Sequence, residues 1–96
     1  MNNLSFQWDQ NKNLENIKKH KVSFDEAKSV FFDDNARLIH DPEHSIDEER
    51  FIILGMSSKL KILVVVHVYR ENDKVIRIIS ARKATKSEIK YYYEAK

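Results

Sequence analysis

Residues 61–83 read KILVVVHVYRENDKVIRIISARK. Two runs rich in Val and Ile flank the polar tetrapeptide Glu71-Asn72-Asp73-Lys74. β-Branched side chains favour extended backbone, because their stiff χ1 packs well on a pleated surface. A four-residue polar break has the length of a hairpin loop. The stretch therefore predicts two long antiparallel strands in the middle of a sheet. With Glu71 to Lys74 as the loop, Arg70 stands opposite Val75, His67 opposite Ile78 and Leu63 opposite Arg82. Opposed residues share a face. One face is then expected to carry Leu63, Val65, His67, Tyr69, Ile76, Ile78, Ser80 and Arg82. The other is richer in aliphatics and has Arg77 as its interior charge. A slip of one residue would move one strand's set to the opposite side.

Outward from the hairpin, the remaining elements follow from periodicity and capping signals. Leu4-Ser5-Phe6-Gln7-Trp8 alternates apolar and polar, which predicts a strand with Leu4, Phe6 and Trp8 inward. Asp9 is a suitable N-cap for a helix over residues 10–20. Its apolar stripe, Leu14 and Ile17 with Lys21 to close it, is thin. Asp9, Lys12, Asn16, Lys19 and His20 form a polar stripe whose simplest reading is a solvated face. Ser23 and Glu26 make a capping box, with Val22 and Ala27 as a staple. The helix over 24–33 places Phe24, Ala27, Val30 and Phe31 on a core face, with Phe32 at its margin. Ala36 to His40 reads as a short strand, Asp41 to Glu49 as an acidic loop, and Arg50 to Met56 as a strand. Gly55 suits a turn or bulge at Ser57-Ser58. Thr85 and Glu88 form a second capping box, opening a helix that Ile89, Tyr92 and Tyr93 pack down while Tyr91 points elsewhere. The order β-α-α-β-β-β-β-α defines an α+β fold, with helices against a mostly antiparallel sheet. Ninety-six residues suit one domain, 1–96.

Composition narrows the chemistry. There is no cysteine, which excludes disulfides, thiolate zinc sites and cysteine catalysis and fits a reducing cytoplasm. The N-terminus lacks the basic and apolar regions of a signal peptide. The longest apolar run, Ile62 to Val66, is too short for a bilayer, so a cytoplasmic protein without membrane association is expected. Residues 1–49 carry a net charge of −5 and residues 50–96 a net +7. A basic half on a sheet suits an anionic partner, foremost nucleic acid. Equally, the two halves can neutralise each other on folding.

His67 inside a strand can exchange protons near neutral pH. Arg82 offers a planar fork of donors matched to phosphate. Metal-free RNA cleavage needs little more: a base for the 2′-hydroxyl, a cation for the phosphorane, and an acid for the leaving 5′-oxygen. The plainer alternatives are a hydrogen-bonded interior histidine and an Arg82 paired with Glu88. Oxygen and imidazole donors also cluster around His40, Asp41, His44 and Asp47 to Glu49. That segment is an acidic loop without a helical His pair, so no metal or other cofactor is expected. No Gly-rich phosphate loop or Gly-x-Ser-x-Gly elbow is present.

Two segments carry a family resemblance. Phe6-x-Trp8-Asp9-x2-Lys12 leads into Asn16-x2-Lys19-His20, then Ser23-Phe24-x-Glu26-Ala27 and Val30-Phe31. After Arg50 and Gly55, the chain finishes with Ile76-Arg77-Ile78-Ile79-Ser80-Ala81-Arg82-x-Ala84 and Glu88. Nearly the whole chain thus resembles BrnT, the toxin of a bacterial type II toxin–antitoxin pair. The resemblance implies a RelE-like fold and a ribonuclease that cleaves RNA and halts translation. It also implies a BrnA-like ribbon-helix-helix antitoxin, a 2:2 heterotetramer, and DNA contact only through that antitoxin. In that frame Arg82 is the first candidate for stabilising the phosphate, with Arg50 and Arg77 beside it. His67 and His20 are candidate base or acid, and Lys12, Lys19 and Lys83 hold the RNA backbone. Glu88 orients Arg82, Ser80 shares its face, and Tyr92 either stacks a base or packs the core. A non-catalytic RNA- or protein-binding module, or an inactive copy serving only as co-repressor, remains the competing expectation. One departure stands out: Lys21 occupies the family's Gly position, where positive φ suits a helix end. A differently shaped end of the first helix is therefore expected.

Overall fold

The computed structural model describes residues 4–41 and 48–94. In it the Val/Ile-rich stretch forms two antiparallel strands, β4 (Ile62–Arg70) and β5 (Val75–Lys83). Glu71, Asn72 and Asp73 turn the chain between them with φ of 52°, 58° and 67°. β1 (Ser5–Gln7), β2 (Arg37–Asp41) and β3 (Arg50–Met56) complete a five-stranded sheet in the order β1-β5-β4-β3-β2. Among the described residues, only the β1–β5 pair is parallel. The helices are α1 (Gln10–His20), α2 (Phe24–Ser29) and α3 (Lys86–Glu94). A 3₁₀ turn, Val30–Phe32, follows α2 where a continuous helix was predicted. The predicted α+β fold and element order hold. Of the acidic segment 41–49, residues 42–47 lie outside the described residues.

Register decides which side chains meet. From Arg70↔Val75 to His67↔Ile78 the hairpin pairs as predicted, but the next pair is Val66↔Ser80. Ile79 has no opposite number, so β5 bulges there. One extra residue inverts the parity of all that follows. Leu63 faces Lys83, and Arg82 faces Val64. The predicted face shared by His67, Ser80 and Arg82 therefore does not form. Ser80 and Arg82 move to the side opposite His67.

The His67 side packs under the first two helices. Val22, Phe24, Ala27 and Val30 meet Ile53, Leu63, Val65, Ile76, Ile78 and Ala81 in one buried cluster. Asp9 caps α1 by accepting from Asn11 and Lys12 amides. The expected stripe of α1 is largely outside: Leu14 is 55% exposed. Instead the helix docks through Asn16, which the polar pattern assigned to solvent. β1 covers the outer edge of β5 only as far as Arg77. At Ala81 the Asn16 amide takes its place, donating to the carbonyl at 2.9 Å and accepting the N–H at 3.1 Å. The same Nδ2 donates to Val22 O at 2.8 Å. This satisfies an edge that would otherwise stay unpaired. Lys21 adopts φ 62°, ψ 28°, the left-handed geometry that Gly would take, so the end of α1 keeps that shape despite the substitution.

Both capping boxes form on their Ser or Thr side. Ser23 Oγ accepts from Glu26 N, but the Glu26 carboxylate turns inward and accepts from Ser57 Oγ at 2.7 Å. Thr85 and Glu88 cap each other's amides. Gly55 lies within β3, and its φ is not positive. The physical reason for glycine is close approach rather than a turn: a Cβ there would sit 2.9 Å from Val30 Cγ1 and 3.0 Å from Ala36 Cβ. On the far face α3 docks through Tyr92, buried with Leu54, Ile62 and Val64. Its hydroxyl donates to Asp33 Oδ2 at 2.6 Å. Burial and that bond push the Tyr92 phenol up to about 12.

Candidate active site

Among the described residues, α3 covers one end of the far face and leaves the rest open. The cross-strand rows there run Ile39–Ile52–Val66–Ser80 and Arg37–Leu54–Val64–Arg82, with Asp41 opposite Arg50. Between them lies a cavity of about 340 Å³. Arg50, Ile52, Val64 and Val66 line it from the middle strands, Ser80 and Arg82 from β5 beyond the bulge, and Asp41 from the end of β2. His20 closes it from α1, one turn beyond the Asn16 clamp. Asn16 thus fixes the helix end that carries the cavity's imidazole.

Arg82 is held in a bidentate pair: Nη1 and Nη2 donate to the two Glu88 oxygens, each at 2.9 Å. Nη1 also donates to Lys83 O at 3.3 Å. Hydrogen bonding to Arg82 pulls the Glu88 carboxyl down to about 2, and the same pair raises the Arg82 guanidinium. Glu88 in turn accepts the Thr85 amide, so the start of α3 aims the guanidinium. Arginine has five N–H donors in a fixed fork. Three are used in these contacts among the described residues.

The bulge and the packing bring together His20, Arg50, Ser80 and Arg82 from the sequence-predicted set, with Glu88 behind Arg82. They separate the others. His67 is fully buried on the opposite face, with its ring 4.8 Å from that of Phe31. Its contacts are Val65 O at 3.3 Å and the Tyr69 hydroxyl at 3.4 Å. Burial lowers its pKa from 6.5 to about 4, so it is a neutral core residue out of reach of the cavity. Arg77 donates to Gln7 at 2.8 Å and braces β1. Lys12, Lys19 and Lys83 are exposed but do not line the cavity. Tyr92 is core. Asp41 is the cavity residue that sequence reasoning assigned to a loop; its one sequence signal is its place opposite Arg50 when β2 is extended by one residue.

A mostly antiparallel α+β domain with guanidinium, imidazole, hydroxyl and carboxylate groups around one open cavity has the functional groups for phosphodiester chemistry. The family described as "Ribonuclease toxin, BrnT, of type II toxin-antitoxin system" matches residues 8–88, and the chain belongs to that family. The fold is similar to that of the Brucella abortus ribonuclease toxin BrnT, solved by crystallography at 1.1 Å. The TM-score is 0.65 at 24% identity, over 86% of this chain and 99% of that one. No curated protein matches the sequence significantly. None of the helices is long and apolar enough to cross a membrane among the described residues.

Proposed function

We propose that this protein is an endoribonuclease toxin that cleaves RNA without a metal, inhibits translation and is neutralised by a BrnA-like ribbon-helix-helix antitoxin. The observation that carries the reading is the convergence of His20, Arg50, Ser80 and Arg82 on one cavity in a BrnT-family chain. Arg82, aimed by Glu88, holds a non-bridging phosphate oxygen, and Arg50 adds a second positive charge. His20 takes one proton-transfer role and Asp41, in the same cavity, suits the other. The 2′-oxygen attacks phosphorus as its proton passes to the base. The P–O5′ bond breaks as the acid protonates the leaving oxygen, leaving a 2′,3′-cyclic phosphate and a 5′-hydroxyl. Metal independence rests on this donor set, which supplies charge and proton transfer from side chains. Lys12, Lys19 and Lys83 are exposed cations that suit the RNA backbone outside the cavity.

Expression without the antitoxin, with growth and RNA integrity followed in time, tests the proposal. Wild type is expected to degrade RNA and arrest growth. Arg82→Ala is expected to lose about 10²- to 10³-fold in cleavage rate, the usual effect of removing one transition-state donor. A folded wild type that leaves RNA intact overturns the ribonuclease reading. Full activity in a folded Arg82→Ala overturns the site.

A further inference from the structure

A second depression adjoins the cavity on the same sheet face. Its volume is about 300 Å³, and Ile52, Val64 and Arg82 belong to both. Ile39, Ile52, Leu54 and Val64 make an apolar floor, and Tyr91 forms a wall from α3. Ile39 is 41% exposed and Tyr91 46%, so the groove opens to solvent over a floor whose Leu54 and Val64 are buried. The Arg37 guanidinium lies over the Tyr91 ring, 5.3 Å from its centroid, a cation–π contact that steadies the ring. Arg82 stands at the boundary with the cavity.

We infer that this groove is a nucleobase subsite, holding the base of a nucleotide next to the phosphate bound at Arg82. The inference rests on the ribonuclease reading for the identity of that phosphate. A base presents two apolar π-faces, which match an aliphatic floor and an aromatic wall. Its own chain carries the anion that the neighbouring guanidinium needs. Base–aromatic contact of this kind tolerates any base, because every base has a π-face. Charge favours nucleic acid over an aliphatic protein segment: Arg37 and Arg82 stand at the two ends of the row Arg37–Leu54–Val64–Arg82, and Glu88, the carboxylate that also lines the groove, is already held by Arg82. Tyr91, not Tyr92, is then the tyrosine that meets RNA.

The test uses short fluorescent 2′-O-methyl oligoribonucleotides, which cannot be cleaved, intact or with a single abasic position moved along the chain. Binding is read by anisotropy. Wild type is expected to lose about 5- to 160-fold in affinity at one abasic position, the range of a base–aromatic contact. Tyr91→Ala should weaken intact RNA by a similar factor and abolish the difference at that position. Tyr91→Phe should keep it. The exposure of Tyr91 makes these variants compatible with folding, checked by thermal melting. The subsite is overturned if Tyr91→Ala binds intact RNA like wild type, or keeps the abasic loss. It is also overturned if that variant changes only the affinity for the antitoxin, which would make the groove a protein-binding surface. Cleavage of unmodified RNA is measured in parallel. Cleavage without an abasic effect removes the subsite alone, whereas an abasic effect without cleavage removes the ribonuclease reading alone.

Discussion

Lowering the pH from 6.5 to 4 is expected to remove about 3 kcal/mol of stability through His67 alone. The ring is fully buried between Phe31 and Tyr69, and its pKa falls from 6.5 to about 4. A depressed histidine favours the neutral form in the folded state. In the unfolded chain the same imidazole binds a proton once the pH drops below 6.5. Stability is therefore complete above 6.5, falls by up to about 1.4 kcal/mol per pH unit towards 4, and levels off below. Glu88, held down to about 2, and Asp33, whose hydrogen bonds from Met56, Tyr92 and Asn35 outweigh the opposing effect of burial, begin to lose their contributions only as the pH falls through the ordinary carboxylate values of 4.5 and 3.8, and the loss is complete below their depressed ones. The window from 6.5 to 4.5 thus separates imidazole from carboxylate. Urea denaturation across that window, for wild type and His67→Gln, measures the slope. The variant is expected to be flatter in pH whatever its absolute stability, and to retain RNA cleavage at pH 7. Equal slopes in the two proteins, or an NMR titration of His67 near 6.5, would refute the reasoning about its burial.

Three further outcomes follow from particular contacts. His20→Gln is expected to melt like wild type but cleave RNA about 10²- to 10⁴-fold more slowly, the range for losing a general acid or base; unchanged rates in single-turnover assays would remove His20 from the mechanism. Lys21→Gly should raise stability by about 0.5–1 kcal/mol in urea titrations, because the left-handed φ of 62° costs a side-chain-bearing residue more than the added glycine entropy. Gly55→Ala should cost about 1–3 kcal/mol in the same assay, since the new methyl meets Val30 and Ala36 at 3.0 Å or less.

Much of the fold is local information. The β-branched runs around Glu71 to Lys74, Asp9 before α1, and Ser23 and Thr85 at the next helix starts each act within a few residues, and each element appears where its signal stands. The candidate site was legible in part for the same reason: Arg82 and Glu88 are six residues apart, joined by a strand end and a capping box. Asn16 and Gly55 were misread because their roles depend on partners distant in the chain. Asn16 reaches Ala81, 65 residues away, and Gly55 makes room for Val30.

The amino-acid sequence by itself determined the order of elements, the basic character of the second half and the family to which the chain belongs. Only the tertiary structure decided which polar residues meet. Strand parity alternates with period two, so the single unpaired residue Ile79 carries Ser80 and Arg82 away from His67 and towards Arg50, Asp41 and His20. No pattern within β5 marks that residue, because the bulge is a relation between two strands. The helix clamped beyond it at Ala81 depends on a third.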